Sequence, residues 1–87
     1  MAIDAVTQCN LSPSFTLRLE HNDFTKMRIM VWEAKTLEEG KVLIRSGSLG
    51  TTYLKEVIKD RAYFERNAPQ KIAKGYVVKR LVIGSDG

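Results

Sequence analysis

Met27-Arg28-Ile29-Met30-Val31-Trp32-Glu33-Ala34 carries apolar side chains on both of its alternating faces. In an extended chain successive side chains point to opposite sides. Met27, Ile29 and Val31 therefore share one side, and Arg28, Met30 and Trp32 the other. A strand with one wetted face has no use for two apolar faces, so this one belongs at the centre of a sheet, with one face beneath a helix. Upstream, Phe15, Leu17 and Leu19 alternate with Thr16, Arg18 and Glu20, the pattern of a half-buried strand. His21-Asn22-Asp23 reads as the turn between the two, because Asn and Asp tolerate left-handed backbone and hydrogen-bond their own chain. Downstream, residues 36–40 form a second turn in which Gly40 suits a positive φ. Residues 41–46 are a third strand with Val42 and Ile44 on one face. Gly47 and Gly50 then bracket Ser48-Leu49 as a tight turn into a fourth strand over 51–58.

The period changes after Asp60. Phe64, Ala68 and Ile72 lie at i, i+4 and i+8, one face of a helix. Asp60 is its N-cap, since a carboxylate accepts the free amides of a first turn. Lys71, Lys74 and Gly75 supply a basic last turn and a glycine C-cap. Pro69 conflicts with a regular helix, where it removes one hydrogen bond at a cost of ~3 kcal/mol. The expectation is a kink over 65–69, or two short helices with Asn67 capping the second. Residues 76–83 close the chain as a strand. The fold class is α+β: a small antiparallel sheet of four to five strands with one main helix, regular or kinked near Pro69, packed on one face. Leu17, Leu19, Ile29, Val31, Ile44, Leu54, Phe64, Ala68 and Ile72 are the expected core. Residues 1–13 read as a flexible N-terminal arm, 14–83 as the single domain and 84–87 as a polar tail.

A chain of 87 residues is one domain with a thin core and little room for an enclosed substrate cavity. Its net charge is +4, placed unevenly. Residues 1–40 carry −2 and residues 41–87 carry +6. That asymmetry points the second half toward an anionic partner. Cys9 is the lone cysteine, so an internal disulfide and a thiolate zinc site are both excluded, and a free thiol in the arm is expected. No run approaches the ~18 apolar residues of a membrane span, and the first residues lack a basic and apolar leader pattern. No membrane, metal or cofactor is expected, and the expected location is the cytoplasm.

Nothing in the pattern suggests catalysis. His21 is the single histidine. Ser46 and Ser48 flank Gly47, whereas a nucleophile elbow needs glycines around one serine together with a His–acid pair. Gly47 and Gly50 lack the lysine and helix of a phosphate-binding loop. Nucleic-acid binding asks for cations to meet phosphates and aromatics to stack on bases. Arg45, Lys55, Lys74, Lys79 and Arg80 are the candidate phosphate contacts, with Tyr53, Tyr63 and Tyr76 interleaved.

Residues 27–76 resemble a WGR domain, the module named for a Trp-Gly-Arg motif and found in poly(ADP-ribose) polymerases and many bacterial proteins. Met27-Arg28-Ile29-Met30-Val31-Trp32-Glu33 matches its second strand and Gly40-Lys41-Val42-Leu43-Ile44-Arg45 its third. Ser46-Gly47-Ser48-Leu49-Gly50-Thr51 resembles the motif turn. Phe64 and Lys71 ahead of Lys74-Gly75-Tyr76 resemble the helix end. The resemblance implies a small antiparallel sheet crossed by one helix, and DNA binding in the polymerases. The motif Trp and Arg are here Ser46 and Ser48, so the stacking group and the fixed cation of the family do not carry over; Gly47 does. The reading is a non-catalytic WGR-like binding module that contacts DNA through its basic C-terminal half. The alternative is a small protein-interaction module, an inhibitor or adaptor of bacterial, phage or mobile-element origin, working as a homodimer or on a protein partner.

Overall fold

The computed structural model describes residues 4–50 and 54–84. Its order is α1 (Ala5–Asn10), β1 (Phe15–Asp23), β2 (Arg28–Thr36), a short 3-10 turn (Glu38–Gly40), β3 (Lys41–Ser48), β4 (Lys55–Asp60), α2 (Arg61–Ala73) and β5 (Val77–Ile83). The five strands form one sheet in the order β4-β3-β2-β1-β5, and every neighbouring pair is antiparallel. The first four strands are a meander. Helix α2 then carries the chain across the sheet from one edge strand, β4, to the other edge, where β5 pairs with β1.

The register explains the core. Leu19 stands opposite Trp32, and Trp32 opposite Ser46; Leu17 stands opposite Ala34, and Ala34 opposite Ile44. These rows lie on the face beneath α2. Phe15, Leu17, Leu19, Trp32, Ala34, Val42 and Ile44 are buried there with Phe64 and Ala68 of α2. Phe64 sits between two rings, 4.7 Å from Phe15 and 6.0 Å from Trp32, centroid to centroid. Strand β2 is central, as its two apolar faces require. Val31, on the face away from α2, is also buried. It lies opposite Gly47, and a Cβ at Gly47 would come within 3.1 Å of the Leu54 side chain. Leu54 therefore covers this spot, and Gly47 leaves it the space.

Several expectations need correction. Over 1–13, the described residues do not form a loose arm. Residues 5–10 are a helix whose N-cap Asp4 accepts from the Thr7 amide at 2.8 Å, and Val6 and Cys9 enter the core. The Arg61 guanidinium clamps this segment from α2, donating to the Cys9 carbonyl at 2.8 Å and to the Pro13 carbonyl at 3.3 Å. These bonds join distant parts of the sequence, which is why local periodicity did not reveal them. His21-Asn22-Asp23 is not a turn but the end of β1, and the turn falls at Phe24–Met27 instead. Ser46-Gly47-Ser48 is likewise not a turn but the last part of β3, paired with Trp32, Val31 and Met30. Asn67 does not cap a second helix. It lies within an unbroken α2 and donates its side-chain amide to the Tyr63 carbonyl at 2.8 Å. Ile72 is 39% exposed rather than core, and Ile29 and Leu54 are half-buried. The 51–53 part of the fourth strand, Tyr53, and residues 85–87 of the tail lie outside the described residues.

Candidate functional site

Antiparallel order puts several chain reversals at one end of the sheet. Strand β1 ends there and β2 begins. Strand β3 ends there, β4 begins there with Lys55, and α2 arrives to feed β5. The opposite end holds the acidic pair Glu38 and Glu39 in the turn between β2 and β3.

The α2 terminus is fixed by local geometry. The Gly75 amide donates to the Ile72 carbonyl at 3.0 Å and the Tyr76 amide to the Lys71 carbonyl at 3.1 Å, the paired bonds of a Schellman cap. Gly75 has φ 110°, and a Cβ there would approach the His21 ring to 3.2 Å. A glycine is thus required twice, for the backbone angle and for the space. The cap delivers Tyr76 onto His21, ring centroids 5.2 Å apart and 29° from parallel. The Lys71 ammonium lies over the Tyr76 ring, 5.4 Å from its centroid. Burial lowers the Lys71 pKa, and the neighbouring Lys74 charge lowers it further. Burial raises the Tyr76 phenol, helped by the carboxylate of Asp23. Lys71 and Lys74 are therefore close enough to repel each other, a pair of cations that an anion would relieve.

The β1–β2 tip flanks this cap. Asp23 accepts from the Lys26 amide at 3.2 Å, and the Met27 amide donates to the Phe24 carbonyl at 3.4 Å. Met27 takes a left-handed φ of 55°, uncommon for a residue with a side chain. The turn holds Phe24 and Met27 out of the protein, 78% and 87% exposed, with Lys26 and Arg28 exposed beside them. The amide of Leu49, itself exposed, donates to the Ile29 carbonyl at 2.7 Å and ties the end of β3 to the foot of this hairpin.

The structure divides the five candidate phosphate contacts. Lys55 and Lys74 belong to this end, and both are exposed. Lys79 is the extra residue of a bulge in β5, where Arg18 pairs with Arg80 but Leu19 already pairs with Val78. Arg45 and Arg80 lie on the open face of the sheet, in a row that crosses all five strands: Glu56, Arg45, Glu33, Arg18, Arg80. Arg45 is committed there. Its Nε is 3.0 Å from Glu56, an ion pair without hydrogen-bond geometry, and its Nη1 is 3.5 Å from Glu33. Of the motif residues, Ser48 directs its hydroxyl at the Met30 sulfur at 3.6 Å, while Ser46 stands between Trp32 and Lys55 in the ladder.

Sequence reasoning missed Phe24, Met27, Lys26 and Arg28 as surface-forming residues. A signal was present: Phe24 interrupts a polar run, Asn22-Asp23-Phe24-Thr25-Lys26, and fits no alternation. Among the described residues, no cluster of three or more His, Cys, Asp or Glu could hold a metal ion, and no helix is long and apolar enough to cross a membrane. No protein-family model, no curated protein and no solved structure matches the chain.

Proposed function

We propose that this chain is a non-catalytic, WGR-like binding module of the cytoplasm that binds DNA through its phosphates. The reading rests on one observation: Lys55, Lys71 and Lys74, with Lys26 and Arg28 of the hairpin, stand at one end of the sheet, and no ion pair joins any of them to a carboxylate among the described residues. Cations that face solvent without a carboxylate partner can neutralise phosphates at little cost, whereas Arg45 would first have to leave Glu33 and Glu56. With Ser46 and Ser48 in place of the motif Trp and Arg, no preference for DNA ends is expected from the motif position. Titration of a labelled duplex at rising salt tests the reading. Three to five phosphate contacts give a log–log slope of about −3 to −5. Absence of binding at micromolar protein and about 50 mM salt would overturn it, because non-specific phosphate binding is strongest at low salt.

A second reading, protein interaction, is favoured by another region. Edge strand β5 exposes Val77, Val78 and Val82, and a groove of about 370 Å³ between α1, Pro69, Ile72 and Val78 is lined mainly by apolar side chains. A stable dimer in size-exclusion chromatography, together with no salt-sensitive DNA binding, would establish it.

A further inference from the structure

The β1–β2 tip holds Phe24 and Met27 outside the core. Phe24 is the one aromatic residue left exposed among the described residues: Phe15, Trp32 and Phe64 are buried, and Tyr63 and Tyr76 are half-buried beneath Lys59 and Lys71. The turn that displays it is built, not loose. Asp23 caps the Lys26 amide, Met27 accepts a left-handed backbone, and the Leu49 amide anchors the base. At the same end of the sheet stand Lys26, Arg28 and the α2-terminal Lys74, all exposed.

We infer that Phe24 is a stacking platform for an unpaired nucleobase, and that the preferred ligand of this end is single-stranded nucleic acid. This rests on the nucleic-acid reading above and goes beyond it, since phosphate contacts alone do not distinguish one strand from two. A duplex keeps the faces of its bases inside its own stack, so an aromatic ring on a protruding turn gains little from it. An unpaired base offers its face, and stacking on a protein aromatic is tolerant of sequence. The cations fit the same ligand, because a single strand threads its phosphates past a stacking group. A protein partner fits less well. Phe24, Met27 and Leu49 make a small apolar tip flanked by Lys26 and Arg28, far from the ~800 Å² per side of a standard interface.

The test uses the full chain with two probes, a labelled oligothymidylate and a labelled duplex, and three proteins: wild type, Phe24→Ala and Phe24→Tyr. Phe24 stands outside the core, so the melting temperature of the variants should not move. Wild type is expected to bind the single strand more tightly than the duplex. Phe24→Ala should weaken single-strand binding by roughly 5- to 150-fold, the loss of one stacked base, and leave duplex binding unchanged. Phe24→Tyr should keep the preference. If Phe24→Ala leaves the single-strand to duplex ratio as it was, the stacking assignment is overturned while the phosphate-binding reading stands. If neither probe binds to wild type, both fall together. If the variant changes only the oligomeric state, the tip is a protein contact and the assignment is likewise overturned.

Discussion

Arg80 stands directly across the β1–β5 ladder from Arg18. Arg18 already has its partners, Glu20 at 2.9 Å and Glu33 at 3.3 Å, and these raise its pKa. Charges in the row alternate from Glu56 through Arg45 and Glu33 to Arg18, and Arg80 breaks the alternation at the edge. Like charges directly opposite in a sheet are destabilising, and opposite charges contribute about 0.2–1 kcal/mol. Arg80→Glu should therefore stabilise the fold by a few tenths to about 1 kcal/mol, read as a melting temperature raised by a few degrees. A lower melting temperature would show that Arg80 is needed for packing along its aliphatic stem.

Phe64 decides whether α2 holds. It is fully buried between Phe15 and Trp32. Phe64→Ala removes a ring from a core with few elements to collapse around it, a change that costs about 3–5 kcal/mol. Domains of this size have little more than that in total. Chemical denaturation should show a large loss of stability or an unfolded variant. An unchanged midpoint would mean that α2 presents another face to the sheet.

Cys9 links the N-terminal helix to pH. Burial pushes its thiol up to about 11, opposed in part by the Arg61 charge. An exposed thiol in the unfolded chain ionises near its ordinary value of ~8.5. The folded state thus retains a proton that the unfolded state releases, and stability must fall as pH rises between those values. Below about pH 8 the thiol contributes no pH dependence. Comparing urea unfolding of wild type and Cys9→Ala from about pH 8 to about pH 11 should show a steeper decline for wild type. Parallel curves would place the thiol in contact with solvent. Alkylation by iodoacetamide near pH ~8 should likewise be slow until the protein is unfolded.

The strands were legible because their signals are local. Phe15, Leu17 and Leu19 alternate, and β2 is apolar on both faces, so its central place and the antiparallel α+β class follow from period alone. Helix α2 was legible through Phe64 and Ala68, with Asp60 accepting from the Tyr63 amide at 2.9 Å as its cap. Pro69 does not split the helix in two, because Glu65, whose carbonyl loses its helical donor, is exposed. What was not legible is non-local. The N-terminal helix is held through the Cys9 carbonyl by Arg61, far along the chain, and the commitment of Arg45 depends on a register that sets Glu33 and Glu56 on either side of it. Charge counting treats Arg45 and Lys74 alike, whereas the ladder neutralises one and leaves the other to solvent. Phe24 escaped because turn residues are read by their polar neighbours, and only the fold shows that nothing covers the ring.

That difference between Arg45 and Lys74 gives the sharpest comparison of surfaces. Lys55 and Lys74 face solvent at the basic end, with no carboxylate partner among the described residues. Replacement by glutamine removes each charge without placing a carboxylate at the α2 C-terminus, where a negative charge would oppose the helix dipole. For every phosphate no longer neutralised, the magnitude of the log–log salt slope should fall by about 0.9. Lys55→Gln combined with Lys74→Gln should therefore take roughly 2 from it. Arg45→Gln removes the same unit of charge from the open face. It should change the slope little and instead cost stability, since it deprives Glu33 and Glu56 of a shared partner; exposed pairs of this kind contribute ~0.2–1 kcal/mol each. Anisotropy titrations at several salt concentrations, run beside thermal melts, read both quantities. A slope that falls equally for Arg45→Gln and for Lys74→Gln would mean that the ligand tracks the open face of the sheet, and the site would have to move there from the end where α2 meets the hairpin.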